Sequence, residues 1–537
     1  MVEPAYASIA HLIADRAISY PDLDVLTFEH EGRITVRTYA QLWENGQRIA
    51  EALAARGVEQ GDRFAMLMLN HPEFVEVMIA SAILGTVFVP VDPRTRGGKL
   101  AYMLRDSGSQ GVICTRYSLP GLIEAAPDAP TLRWAITLDD VPADTRLPVF
   151  AMANALSAPV PDPQRQIVVT SEAEPMQVMY TSGTTGDPKG IVVPHARFNA
   201  VSKHGEAVFG YRDGDRPYTG LSLTHGNAQF VTLAPSLKMG LRAVFSRKFT
   251  KSRLWDITRS LGCTTFSLLG GMVTAIFSEA ARPDDADNPV RLVISAGMPA
   301  AIWEEFQRRF DVEIFEFYGA MEGGMTFKRV GEGPVGSCGR VAPGLIGMVV
   351  DEEGNELPPG SSGELWFRLE TGPFPPVTYL NNPKASGEKV IDGWLRSGDI
   401  VHVDADGWVF YEYRKGGGIR RNGEFVSPAF VEKVLALHPG VDDVFVYGLR
   451  ASSGAPGEKH VVAAIVAREH ADFDPQDLFA WARERLESNM QPDFVQLVDE
   501  IPKTASEKPQ ERFLTEVFGN NPGSVHRARS TGKEMHG

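Results

Sequence analysis

Thr181, Ser182, Thr184 and Thr185 crowd into one short stretch with Gly183 and Gly186, and Asp187, Pro188, Lys189 and Gly190 follow directly. Glycine tolerates positive φ, so successive backbone N–H groups can converge there on one anion. The hydroxyls add donors, and Lys189 adds a fixed positive charge. By composition this is a cradle for a polyphosphate, set against the plainer reading of a mobile surface turn. It is not the Gly-x-x-x-x-Gly-Lys-Ser/Thr loop, because Lys189 follows Asp-Pro and precedes Gly190. Two further stretches, Ser295-Ala296-Gly297-Met298-Pro299 and Tyr318-Gly319-Ala320-Met321-Glu322-Gly323, place small residues after runs that read as strands. The carboxyl ends of strands are where α/β folds bind ligands. Asp399, closing Trp394-Leu395-Arg396-Ser397-Gly398-Asp399, brings a carboxylate that could bind a ligand, lie in solvent or cap a turn. His225, before Gly226, stands alone, and a lone histidine is more often packed or solvated than functional.

Hydrophobic periodicity names the elements that must hold these groups. Residues 176–180 read as a strand running into the cradle. Upstream, Thr38 is an N-cap for a helix carrying Leu42, Ile49 and Leu53 and ending near Gly57. A strand over 63–69 follows, then a helix opened by Pro72, a strand over 86–91, a helix over 99–105 and a strand over 111–114. Such alternation predicts parallel sheet covered by helices, the α/β class. Residues 115–172 are richer in Pro, Asp and Ala and are expected to be peripheral. Beyond residue 415 the pattern predicts helices over 428–437 and 475–487 and strands over 441–448, 460–466 and 494–498, a compact α+β unit. The polar, basic tail from about Asn520 is expected to be disordered.

At 537 residues the chain exceeds what one core supports, so at least two domains are expected. Its 53 basic and 68 acidic residues leave a net charge of −15, which disfavours nucleic acid and anionic membrane as partners. Anionic ligands must then be held by local positive groups. Three scattered cysteines, Cys114, Cys263 and Cys338, lack metal-ligand spacing and point to a reducing compartment. No basic segment followed by an apolar core opens the chain, and no stretch is long enough to span a bilayer. A cytoplasmic protein is the expectation.

In motif order, from about Thr38 to Lys508, the chain resembles the adenylate-forming superfamily of acyl- and aryl-CoA synthetases, adenylation domains and luciferases. The run Thr181-Ser182-Gly183-Thr184-Thr185-Gly186-Asp187-Pro188-Lys189 is similar to its phosphate-binding signature. The resemblance implies that Gly297 belongs to the adenine pocket, that Tyr318 stacks on the adenine ring with Gly319 beside it in the nucleotide site, and that Glu322 helps coordinate Mg²⁺. It implies that Asp399 binds the ribose hydroxyls, that Arg414 reaches the ribose or phosphates, and that His225 is a gate or wall of the acyl pocket. Gly423 and Glu424 match the turn lining a pantetheine tunnel, and Lys508 the lysine that bridges carboxylate and α-phosphate. Details such as Leu223-Thr224-His225-Gly226-Asn227 look most like the branch of crotonobetaine/carnitine-CoA ligase.

Three departures stand out. Met321 replaces the usual threonine, and a thioether cannot donate a hydrogen bond to the α-phosphate. A neighbouring donor or slower adenylation is therefore expected. Gly416 occupies the hinge position, and Glu507 precedes Lys508 where the family has glycine. Taken together, the resemblance implies a large N-terminal AMP-binding domain (1–415) with α/β subdomains and a small mobile lid (416–537). The implied reaction joins a carboxylic acid to CoA through an acyl-adenylate, with ATP and Mg²⁺ consumed or bound. A carrier-loading adenylation enzyme, a luciferase-like oxidation and a degenerate ligand-binding homologue are the alternatives, and a homodimer is compatible with all of them.

Overall fold

Thr38 caps the helix Tyr39–Ala54 as expected: its hydroxyl accepts from Gln41 N, and the Gln41 side chain accepts from Thr38 N in return. The helix Pro72–Leu84 has Pro at its first turn and ends on Gly85 in the left-handed region. Almost all of it is buried, so it shows no polar face and belongs to the interior. The computed structural model describes residues 6–528 except 143–145, 182–187, 416–418, 422–423, 427, 451–458, 469–472 and 505–508, and not the side chains of Arg420, Glu424 and Phe425.

Among the described residues, two large sheets dominate. The seven-stranded sheet is parallel from Val149–Ala151 through Pro175–Thr181, with Lys189–Pro194 added antiparallel at the edge. The nine-stranded sheet has a parallel centre running from Glu313–Ala320 to Asp24–His30, with antiparallel strands at both margins. One core joins them, with Phe64 and Phe88 from the first sheet, Phe245 and Phe266 from the second, and Ile79 from the helix between. A five-stranded antiparallel sheet follows, containing Gly363–Leu369, Trp394–Val403 and Val409–Arg414. The C-terminal sheet has its own core around Val461, Ile465, Leu478 and Val495.

Two expectations change. Residues 115–172 are not merely peripheral, because Trp134–Thr137 and Val149–Ala151 extend the seven-stranded sheet. Trp134 is buried over Gly111, where a Cβ would lie 2.1 Å from its ring. The expected disorder does not hold over residues 520–528. Val525–Arg527 pairs antiparallel with Phe494–Leu497, and the preceding helix Glu511–Asn520 buries Leu514. Three residues give no readable period, yet they satisfy the open hydrogen-bonding edge of a neighbouring strand.

Candidate active site

The two ends of the cradle, Thr181 and Lys189, lie on adjacent antiparallel strands. Thr181 ends one strand and pairs in register with Lys189, which opens the next. Both line a cleft of about 2710 Å³, and the Lys189 ammonium lies 5.8 Å from the ring centre of Tyr379. Ser182, Gly183, Thr184, Thr185 and Gly186 lie outside the described residues.

Asp399 and Arg414 are fifteen positions apart because they are cross-strand partners in the five-stranded sheet. Arg414 Nη1 donates to Asp399 Oδ2 at 2.8 Å, and the Tyr318 hydroxyl donates to the same oxygen at 2.5 Å. The carboxylate side chain is only 6% exposed, so its charge is compensated by these two donors. Burial and then the Asp399 charge push the Tyr318 hydroxyl well above its ordinary range, keeping it a donor. The Tyr318 ring stacks on Phe367 at 6.4 Å. Gly398, at φ +78°, lies within the strand Trp394–Val403 where its register with Gly363–Leu369 shifts, and its N–H donates to Glu364.

Ala320, Met321 and Glu322 form the turn between strands Glu313–Ala320 and Gly323–Lys328. Arg197, from the helix after the cradle hairpin, donates to Ala320 O at 3.1 Å and so pins this turn. Glu322 accepts from the Tyr379 hydroxyl at 2.8 Å, and the Lys389 ammonium is 3.8 Å from the same oxygen. Burial works to raise the Glu322 pKa, but Lys389 and the Tyr379 hydroxyl outweigh it and hold the carboxyl below its ordinary value. Burial lowers the Lys389 pKa, with Glu322 opposing. Met321 turns the other way: a Cβ on Gly226 would sit 2.4 Å from its sulfur.

His225 lies in a turn closed by its own N–H to Ser222 O, and its Nδ1 accepts from Asn227 N at 3.3 Å. A π-helical segment, Ala228–Leu233, follows directly; such widened turns gather at functional sites. Gly297, at φ +96°, packs against Gly270, and the N–H groups of Gly297 and Met298 donate to Glu316. Glu316 is fully buried, and burial pushes its carboxyl up to about 8 despite those donors and Lys328 nearby.

Thr181, Lys189, His225, Gly297, Tyr318, Gly319, Met321, Glu322, Asp399 and Arg414 thus all line one cleft. Lys508, Gly416 and Gly423 lie outside the described residues, as does the side chain of Glu424. Lys503, Thr504, Pro509 and Gln510, which flank the Lys508 segment, line the same cleft. Sequence reasoning missed Arg197, Glu316, Tyr379 and Lys389. Tyr379 begins the Tyr379-Leu380-Asn381-Asn382-Pro383 signature and could have been weighed; the other three carried no motif signal.

Among the described residues no three His, Cys, Asp or Glu side chains converge as a metal site. A single buried carboxylate still suits Mg²⁺, which keeps most of its water and binds through one or two carboxylates plus phosphate. All three cysteines are buried and free. No described helix is long and apolar enough to cross a membrane.

Residues 13–372 match the family model described as AMP-binding enzyme, and 431–508 the one described as AMP-binding enzyme C-terminal domain. A fatty acid–acyl-carrier-protein ligase of Streptomyces coeruleorubidus is 32% identical over 505 residues, 91% of this chain and 92% of that protein. A crotonobetaine/carnitine–CoA ligase of Salmonella heidelberg is 26% identical over 504 residues, 92% of this chain and 96% of that one. The crystal structure of the anthranilate CoA ligase AuaEII with anthranoyl-AMP has the same fold, with a TM-score of 0.83 at 23% identity over 97% of this chain and 99% of that one.

Proposed function

The chain belongs to the AMP-binding enzyme family and is an ATP-dependent, AMP-forming acid–thiol ligase; from that premise we propose how its residues divide the work. The supporting observation is convergence. Groups from the cradle hairpin, the Tyr318–Glu322 turn, the Asp399–Arg414 pair and the C-terminal segment flanking Lys508 meet in one cleft.

The nucleotide lies with its ribose hydroxyls on Asp399, its adenine between the Gly297 segment and Tyr318, and its phosphates on the Thr181–Lys189 turn. Receiving the ribose requires the Tyr318 hydroxyl or Arg414 to share or yield the Asp399 oxygen that both now occupy. Glu322 would hold Mg²⁺, which would supply positive charge to offset that of the phosphates. The acid carboxylate enters past His225 and attacks the α-phosphorus; the bond to the β-phosphate bridging oxygen breaks and pyrophosphate leaves. Lys508 offsets the negative charge shared by carboxylate and α-phosphate as they approach. The CoA thiol, losing its proton, then attacks the acyl carbon of the adenylate and AMP departs. We place the boundary between the domains at 415–416, with Gly416 as hinge, so that the lid encloses each half-reaction differently. Gly423 and Glu424 belong to the second enclosure. Three buried free thiols and the use of CoA favour a cytoplasmic setting.

A carrier protein as acceptor is the second reading, favoured by the name of the 32% identical relative. A panel of short, branched, aromatic and long-chain acids, scored for ATP-dependent pyrophosphate release, names the substrate. Adding CoA or an acyl carrier protein in parallel then distinguishes the acceptors. Absence of pyrophosphate release with every acid would sink the proposal, and gel filtration of the same sample reports whether the chain pairs.

A further inference from the structure

Lys389 is the last residue of the short helix Pro383–Lys389, and the strand Val390–Ile391 after it is pinned to Trp394–Leu395. Its side chain is 12% exposed and reaches the floor of the cleft. An ammonium has three N–H donors. Among the described residues, the Lys389 hydrogen bond is to the backbone carbonyl of Ser397 at 3.1 Å. Glu322 Oε1, at 3.8 Å, is within ion-pair range but beyond hydrogen-bond reach, and that oxygen already accepts from Tyr379. The ammonium therefore keeps N–H groups without a hydrogen-bond acceptor among the described residues, while Glu322, Asp399 and Glu364 favour its charge, and Arg414 opposes it, only through longer-range interaction.

One residue along the chain from Ala320, the turn lacks a side-chain hydrogen-bond donor. Met321 offers a thioether where a hydroxyl would serve the α-phosphate, and its sulfur is turned to Gly226. Lys389 stands on the Glu322 side of that turn with a flexible four-carbon stem. Resting on the nucleotide reading of the cleft, we propose that Lys389 is a further nucleotide-binding residue: it rests beside Glu322 in the free enzyme and donates to the α-phosphate of ATP and of the adenylate, in place of the hydroxyl absent at position 321.

The test is calorimetric binding of ATP, AMP and adenosine to the full chain and to K389M. The expected result is that ATP and AMP each weaken about tenfold, the loss of one hydrogen bond to a charged group. Adenosine, which has no phosphate, is expected to bind as before and so reports that the site is still folded. K389R should retain most of the affinity, and K389Q carries the same test if K389M does not fold. Unchanged ATP and AMP affinity, or an equal loss for adenosine, overturns the inference; the latter would make Lys389 a structural tether to Ser397. Wild-type protein that binds no ATP overturns the nucleotide reading as well, whereas wild-type binding with K389M unaffected removes only the role of Lys389.

Discussion

Asp399 and Met321 face the same cleft but are held in opposite ways. Asp399 sits in a ten-residue antiparallel strand, opposite Arg414, with its carboxylate gripped by Arg414 and Tyr318. Met321 sits in a turn, and the neighbour that defines it is the absence of a side chain at Gly226. Next to Gly226 the backbone runs into a π-helical segment rather than a regular helix. The polar corner is over-determined by directional bonds, so one wrong residue leaves a buried charge unpaired. The apolar wall is set by volume, which tolerates exchange as long as the sum is kept. On the proposed reading, the step shared by all acids uses the first kind of site, and choice among acids the second.

The comparison can be broken in four places. The largest effect is expected on the polar side at Lys508. Replacing it by alanine should slow adenylate formation by about two to three orders of magnitude, the scale for one preorganised charge contact. CoA transfer from supplied acyl-adenylate should survive; equal damage to both halves would mean that Lys508 serves the fold instead.

Asp399→Ala should weaken ATP binding by ~1–3 kcal/mol for every acid tested, since on the proposed reading Asp399 meets the ribose and not the acyl group. Titration calorimetry checks this, and an acid-dependent loss would dissolve the distinction between the two regions.

On the apolar side, Gly226→Val forces a side chain into the Met321 sulfur, while Met321→Thr relieves that crowding and restores a hydroxyl. The single Gly226→Val variant should lose about tenfold in kcat/KM for the preferred acid, the scale of a small change in an apolar pocket. Joined to Met321→Thr it should recover. Met321→Thr alone should keep or raise the rate of pyrophosphate release and shift preference toward larger acids. Failure of the pair to recover would show that Gly226 serves backbone geometry rather than volume.

The smallest effect concerns Glu316 beneath the Gly297 loop. Its carboxyl is raised from 4.5 to about 8, chiefly by burial. The fold therefore favours the protonated form: the contribution is present below the ordinary value and is lost as pH rises through about 8. Melting of the wild type between about pH 5 and pH 9 should decline relative to Glu316→Gln, which cannot ionise. Parallel melting curves would contradict it.

The sequence carried the local decisions of this fold. Thr38 with Gln41 announces a capped helix, Pro72 opens another, and 111–114 is apolar enough to be a central strand, because each depends on neighbours within a few positions. The cradle composition and the family motifs likewise named ten residues that share one cleft. Tertiary structure alone decided what those groups touch. Arg197 reaches Ala320, Lys389 reaches Glu322 and Glu316 holds the Gly297 loop across separations that no periodicity records. The edge strand Val525–Arg527 was equally hidden, being defined by its partner and not by its three residues. Charge compensation and shape are properties of neighbours in space, and a chain declares its neighbours only when it has folded.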